Sequence, residues 1–295
     1  MPSWQGKSSG NKLGYRIFIT ILQKLGVRSA YVLLSIVSCY YFLFAWKSSR
    51  HILFYFRKRL GFGYWKSLGA LYKNYFAFGQ SLIDKIAIMS GSADQFTFDF
   101  DGEEHLHTMV SMQKGGLLLS SHVGNWEAAG HLLKRLNTKI NVVMFDGEHQ
   151  KIKDYLTSVT GERNAHIIVI KNDLSHIYEI NEALKNNELV CMHADRFVEG
   201  NRTIAIDFLG APALFPAGPF VIAAQFKVPV CYVFAMKEKT THYHFYSTNV
   251  RAYDYSDKAK AMHQMLTEYT YEMEQKIKLY PVQWYNYYDF WKIKV

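Results

Sequence analysis

Apolar and polar positions change rhythm twice along the chain. Tyr15 to Leu25 is amphipathic at helical spacing, and Ala30 to Trp46 (AYVLLSIVSCYYFLFAW) carries no charge at all. From about Leu53 to Met89 aromatic and aliphatic residues recur every three or four positions, the stripe of a packed helix more than of a cofactor box. After Ser90-Gly91-Ser92 the period shortens, and strand and helix patterns alternate. Strands are predicted at Phe96–Phe100, Leu117–Ser121, Ile140–Phe145, His166–Ile170, Leu189–His193, Thr203–Leu209, Val228–Met236 and Tyr243–Thr248. Helices are predicted between them at Glu103–Gln113, about Trp126–Leu136, Gln150–Val159, Leu174–Lys185 and Pro219–Phe226, with a long one at Ser256–Leu279. Such alternation predicts an α/β sandwich, a mostly parallel sheet flanked by helices, behind an N-terminal membrane-associated helix. No linker divides the chain: residues 1–52 read as an anchoring segment and 53–295 as one catalytic domain.

The apolar run is 17 residues long, at the lower edge of what crosses a bilayer. Lys7, Lys12, Arg16, Lys24 and Arg28 precede it, and Lys47, Arg50, Arg57, Lys58 and Arg59 follow. Basic residues on both sides leave the topology undecided. The run reads as membrane attachment, with spanning the bilayer and lying in one leaflet both open. A cleaved signal peptide is disfavoured by the long basic segment before the run and the lack of a small-residue cleavage site after it.

Composition narrows the partners. The chain has 295 residues, 49% of them hydrophobic and 16% aromatic, and this is no disordered segment. A formal charge of +9 calls for an anionic partner. Nucleic acid is disfavoured, because no zinc-finger spacing, basic helical stripe or RNP-like strand accompanies the charge. Anionic lipid headgroups or an acidic carrier protein fit better. The three cysteines, Cys39, Cys191 and Cys231, lie in apolar stretches without C-x-x-C spacing and read as buried, reduced thiols.

The chemistry concentrates in Ser120-Ser121-His122-Val123-Gly124-Asn125-Trp126-Glu127. A histidine and a carboxylate five residues apart on one unbroken helix point ~140° away from each other, so something must turn between them. The turn is supplied by Gly124, after the strand that ends at Ser121, and Asn125 is a good N-cap for the helix that follows. Glu127 then falls in the first helical turn, where the macrodipole favours its charge, and His122 is placed to share a proton with it. That is a general-base arrangement, with Gly124 and Asn125 available to support the pair or an oxyanion. A structural histidine beside a capping glutamate satisfies the same pattern.

Two further segments follow strands. Asp195-Arg196 comes directly after the apolar strand ending at His193, where Arg196 suits a phosphate or thioester and Asp195 suits holding it, or where the two form a surface ion pair. Phe208-Leu209-Gly210-Ala211-Pro212-Ala213-Leu214-Phe215-Pro216-Ala217-Gly218-Pro219 reads either as a rigid apolar loop lining an acyl groove, through Phe208, Gly210, Pro212 and Gly218, or as a turn between strand and helix. No G-x-S-x-G elbow frames Ser120 or Ser121, which disfavours a hydrolase. The 12 histidines lack metal-ligand spacing, and no metal is expected.

Taken in order, S-H-V-G-N-W-E, A-D-R, the F-L-G-A-P segment with Val228-Pro229-Val230, and Tyr280-Pro281-Val282-Gln283-Trp284-Tyr285 resemble the bacterial lipid A biosynthesis late acyltransferases, the lauroyl and myristoyl transferases, within the wider lysophospholipid and glycerolipid group that shares an H-x-x-x-x-D/E motif. The resemblance covers nearly the whole chain and is strongest from Gly115 to Val230. It implies a membrane-bound enzyme on the cytoplasmic face of the inner membrane. Such an enzyme moves a fatty acyl group from an acyl-carrier-protein or coenzyme A thioester to a lipid hydroxyl, lipid A-like, with no cofactor and no covalent intermediate. It also implies that His122 and Glu127 are the catalytic pair. Asp195-Arg196 stands where these enzymes more often have Asp-Gln, and the tail is unusually rich in tyrosine. Acylation of an amine or of another lipid or pigment hydroxyl therefore stays open, with a thioesterase or a noncatalytic membrane-surface protein as more distant alternatives.

Overall fold

The computed structural model describes residues 12–128, 136, 138–144, 166–171, 173–198 and 200–291. Helix α1 (Lys12–Phe44) is one long rod broken at Gly26, whose positive φ of 79° interrupts the helical path. It joins the amphipathic stretch and the apolar run that the sequence separates. Arg16–Phe44 is long and apolar enough to cross a membrane by length and composition. One side of α1, through Ile19, Leu22, Val27, Ala30, Tyr31 and Leu34, is buried with Ile83, Ile86 and Ala87 of α3 (Tyr64–Met89). The expected continuous helix from Leu53 is not continuous: α2 (Trp46–Phe54) runs into a π turn at Tyr55–Arg59, and Gly61-Phe62-Gly63 separates it from α3. Glycines on either side of one aromatic residue supply that break.

The main sheet has seven strands in the order β1-β9-β8-β2-β5-β3-β4, from β1 (Thr97–Asp101), β2 (Gly116–Ser120), β3 (Ile140–Met144), β4 (His166–Val169), β5 (Leu189–His193), β8 (Val230–Lys239) and β9 (His242–Ser247). Only the β8–β9 pairing is antiparallel, as a two-residue hairpin requires; every other pairing is parallel. The predicted fold class is therefore observed. Central strands β2 (GLLLS) and β5 (LVCMH) are apolar because both faces are covered, and their side chains are almost wholly buried.

Helices α4 (Glu103–Ser111), α5 (Ser175–Lys185), α6 (Gly218–Phe226) and α7 (Lys258–Leu279) follow the predicted positions to within a few residues. Asp257 caps α7, its carboxylate accepting the Lys260 N–H at 3.0 Å. The helix expected at Trp126–Leu136 is described from Trp126 to Ala128, and the one expected at Gln150–Val159 lies outside the described residues. Cys191 and Cys231 are buried and free, their thiols pushed up to about 12 by burial, whereas Cys39 is exposed on α1, against expectation. The outward side of that helix is apolar too, so an apolar sequence context did not imply burial.

The proline-rich segment departs most from its reading as a loop. It is half of an antiparallel hairpin, β6 (Thr203–Phe208) against β7 (Ala211–Pro216), turning at Leu209-Gly210. Pro212 and Pro216 are tolerated because this two-stranded ribbon has only edges.

Candidate active site

Strands β2 and β5 end side by side, with Ser120 opposite His193. His122 and Asp195 each stand two residues beyond that pair, so the register of the two central strands brings them together across 73 residues of chain. The Asp195 carboxylate accepts two bonds from His122: Oδ1 faces Nδ1 at 2.8 Å, and Oδ2 takes the backbone N–H at 3.0 Å. The imidazole keeps 24% of its side-chain exposure while the carboxylate keeps 1%. A buried acceptor thus fixes a partly open ring with its proton on Nδ1, leaving Nε2 as the basic nitrogen.

The turn after His122 is held from both sides. Gly124 has φ +75°, and a Cβ there would sit 2.0 Å from the Ala235 carbonyl oxygen, so only glycine fits. Its N–H bonds the Gln283 carbonyl at 2.8 Å, and Asn125 N–H bonds the Ala235 carbonyl at 2.7 Å. Asn125 is buried and caps the following helix, Oδ1 accepting from Ala128 N–H at 3.3 Å. Both residues thus bend and start the chain as their types predicted.

Glu127 sits in the first helical turn as expected, but its carboxylate is in an ion pair with Lys85 of α3 at 2.5 Å. The nitrogen expected to bond Glu127 bonds Asp195 instead. The physical reason is the strand register: Asp195 approaches His122 from the neighbouring strand end at hydrogen-bond distance, while Glu127 leaves the turn on a helix that faces α3. Its charge still reaches the ring, favouring the protonated form.

Arg196 does not form the surface ion pair that its neighbour offers. Its Nη2 donates to the Tyr285 carbonyl at 2.5 Å, and Tyr285 N–H donates to the His122 carbonyl at 3.2 Å. Val123 also bridges Trp284. The segment Pro281–Tyr285, singled out by pattern but given no role from sequence, therefore backs the His122 turn. Phe208 is fully buried against Trp284, their ring centroids 5.7 Å apart, so it supports that segment from below. Gly210, Pro212 and Gly218 are exposed on the hairpin turn, β7 and the start of α6, and none is bonded to His122, Asp195 or Arg196 among the described residues.

One residue of the cluster escaped the sequence reading. His193 lies under His122, ring centroids 4.3 Å apart, with Nδ1 2.9 Å from Ser120 Oγ and the edge of Trp126 against it. The signal was present in His193-Ala194-Asp195, where side chains two apart share a side of an extended chain.

Electrostatics keep both histidines neutral. Burial, then the Arg196 guanidinium, pushes His122 below the ordinary imidazole value, with Asp195 and Glu127 opposing. Burial and the adjacent His122 hold His193 well below it. Asp195 stays ionised: burial resists its charge, but His122 and Arg196 outweigh that and hold it below the usual carboxylate range. His122, His193 and Asp195 offer ligand atoms within 4.8 Å of one another; His122 Nδ1 is bonded to Asp195 and His193 Nδ1 to Ser120, while His193 Nε2 is buried without a hydrogen-bond partner among the described residues. A separate cavity of about 320 Å³, lined by Asp101, His105, Tyr246, Arg251 and Lys276 among others, includes none of these groups.

Comparison with known proteins places this geometry in a family. A 130-residue stretch is 30% identical to the phosphatidylinositol mannoside acyltransferase of Mycobacterium tuberculosis, in two strains, covering 42% of this chain and 39% of that protein. The match thus spans about two fifths of those relatives' length. The solved 1-acyl-sn-glycerophosphate acyltransferase PlsC of Thermotoga maritima aligns over 84% of this chain and 98% of its own, with a TM-score of 0.36 and 12% identity. The model of the bacterial lipid A biosynthesis acyltransferases matches residues 71–292, which include the whole His122 cluster and the segment that backs it, and the chain belongs to that family.

Proposed function

We propose that this protein transfers a fatty acyl group from a carrier thioester to a hydroxyl of a membrane lipid, with His122 as general base. The observation that carries the reading is the Nδ1 bond to Asp195, which orients a neutral, partly exposed imidazole at the end of the central strands. In the proposed reaction Nε2 takes the hydroxyl proton as the acceptor oxygen attacks the thioester carbonyl. Asp195 holds the ring and balances the imidazolium. Glu127 adds negative charge nearby. The tetrahedral oxyanion collapses, the C–S bond breaks, and the imidazolium returns its proton to the leaving thiolate. Backbone N–H groups at the Gly124 turn are both bonded within the protein, to Gln283 and Ala235, so their part is to hold the turn and not to receive the oxyanion. Arg196 is likewise anchored on Tyr285, and its charge serves His122 more directly than a phosphate.

The acceptor proposed is a glycolipid, lipid A-like or related to the mannosides named for the mycobacterial relatives, and the donor an acidic acyl carrier protein in preference to coenzyme A. The net charge of +9 favours such a carrier. Membrane attachment is proposed through α1. Opposite its buried side, Leu25, Val32, Ile36, Tyr40, Leu43 and Phe44 form an exposed apolar stripe, with Lys24, Arg28, Lys47 and Arg50 exposed along it. A helix with one side packed on α3 and the other apolar suits lying in the cytoplasmic leaflet of the inner membrane. Residues 1–52 are then the membrane-docking part and 53–295 the catalytic part.

Purified protein incubated with labelled acyl carrier protein or acyl-coenzyme A and a lipid extract tests this. The account expects a lipid product heavier by one acyl group, formed faster from the carrier and slowed by salt, since exposed charges are screened within ~8–10 Å at 0.1–0.15 M. Release of free fatty acid with no acylated lipid would instead mark a thioesterase.

A further inference from the structure

Away from His122, one carboxylate is buried without any access to solvent. Asp84 of α3 accepts hydrogen bonds from Tyr31 of α1 and Tyr243 of β9, and Lys237 of β8 pairs with it at 2.5 Å. Lys237 Nζ also lies 2.9 Å from the Tyr31 hydroxyl. Four elements therefore meet at one buried ion pair, inside a cluster otherwise made of apolar side chains. Burying such a pair is expensive and is weak ground for stability, since well-packed apolar residues often replace it at no loss. What it does provide is direction.

The direction leads to the His122 turn. The Tyr243 hydroxyl that donates to Asp84 accepts from Asn125 Nδ2 at 3.0 Å, and the same amide donates to the Ser81 carbonyl, one turn before Asp84 on α3, at 3.2 Å. With both amide protons committed, Asn125 has its Oδ1 aimed at Ala128 N–H, which starts the helix carrying Glu127. Lys85, next to Asp84, holds Glu127 itself. Lys237 is fixed in turn by Gln283, which exchanges two hydrogen bonds with its backbone at 2.9 and 2.7 Å and whose own carbonyl receives Gly124 N–H. Two of the groups that fix the turn after His122, the Asn125 side chain and the Gln283 carbonyl, thus trace back through Tyr243 and Lys237 to Asp84.

We propose that Asp84, with Tyr31, Lys237 and Tyr243, is a positioning network for acyl transfer, through which the docking of helix α1 sets the orientation of Asn125 and the turn that presents His122. This rests on the reading of His122 as the catalytic base. Helix α1 is then more than an anchor: Tyr31, near its middle, supports the site. Tyr31 is buried, so its hydroxyl acts on the network without altering the outward side of the helix.

Full-length Tyr31→Phe, Tyr243→Phe, Asn125→Ala and the double variant Tyr243→Phe/Asn125→Ala test the proposal, with His122→Ala as reference. Measured are kcat and KM for the carrier thioester, Tm, and binding to vesicles containing phosphatidylglycerol. A network that orients the turn predicts kcat lower by about tenfold in Tyr243→Phe and by several-fold in Tyr31→Phe, with KM and vesicle binding unchanged. It also predicts that Tyr243→Phe costs nothing further in kcat once Asn125 is alanine, because the hydroxyl acts through that amide. Folded Tyr31→Phe and Tyr243→Phe turning over within twofold of the parent, or effects on kcat that simply add with Asn125→Ala, would overturn it. Either result beside an inactive His122→Ala sinks the network alone, whereas an active His122→Ala sinks the reading beneath it.

Discussion

Asp195 Oδ1 lies 2.8 Å from His122 Nδ1, and the two residues stand equally far beyond Ser120 and His193, which face each other at the ends of the central strands. The pair is thus a product of sheet register. A side chain reaching across from a neighbouring parallel strand is held by two hydrogen-bonded ladders, a stiffer support than a turn alone provides.

Asp195→Asn keeps the shape but replaces the carboxylate that fixes the Nδ1–H tautomer. Turnover is expected to fall by about 10²–10⁴ with little change in KM for the thioester. Glu127→Gln removes charge from a group already paired with Lys85, so its loss in kcat is expected to be smaller than that of Asp195→Asn. Steady-state kinetics on both variants, normalised to folded protein, give the order.

The pH dependence follows from the depressed histidines. His122 is the active base when neutral, so kcat/KM should be flat at neutral pH and bend downward only below the ordinary imidazole value of ~6.5. Stability carries the same sign. The folded state binds fewer protons at His122 and His193 than the unfolded chain does, so stability is fully present above ~6.5 and is lost as pH falls through the lower folded values. In Asp195→Asn the group that raised the His122 value is gone, and the acid limb should move to still lower pH. A limb that moves upward would contradict the assignment.

Gly124→Ala puts a methyl group 2.0 Å from the Ala235 carbonyl oxygen at a residue with positive φ. Backbone has to give way on both sides of the turn. The expected cost is about 2–4 kcal/mol, seen as a lower Tm, together with loss of turnover in whatever remains folded. Retained Tm and activity would mean that the turn is not so constrained.

Much of the fold was legible because its elements obey simple periods. The buried runs GLLLS and LVCMH announce central parallel strands, and the Gly124 and Asn125 residue types announce a turn and a cap. The partner of His122 was not legible. Sequence proximity pointed to Glu127, and only the alignment of β2 with β5, a long-range fact, brings Asp195 nearer. The second strand of the hairpin, Ala211–Pro216, was read as a loop because its prolines suggest one, and nothing local shows that both strands lie outside the main sheet. Tyr31 and Asp84 were hidden in apolar helical stripes, where a single polar residue carries no periodic signal.

The exposed stripe of α1 has its own test. Ile36→Asp with Leu43→Asp changes two side chains that are each 65% exposed, so Tm should hold. Binding to phosphatidylglycerol vesicles should drop by tenfold or more, given about 1.5–3 kcal/mol for each large aliphatic group moved out of water. Unchanged vesicle binding would remove this side of α1 from the membrane contact.

The central claim is that His122 removes the acceptor proton. His122→Ala, purified and shown to be folded by its melting curve, should transfer acyl groups more slowly by about 10²–10⁴, while still binding the carrier thioester. The neighbouring His193 does not replace it, because its Nδ1 is committed to Ser120 and its Nε2 is closed off from solvent. Near-normal turnover per folded molecule of His122→Ala would contradict the account.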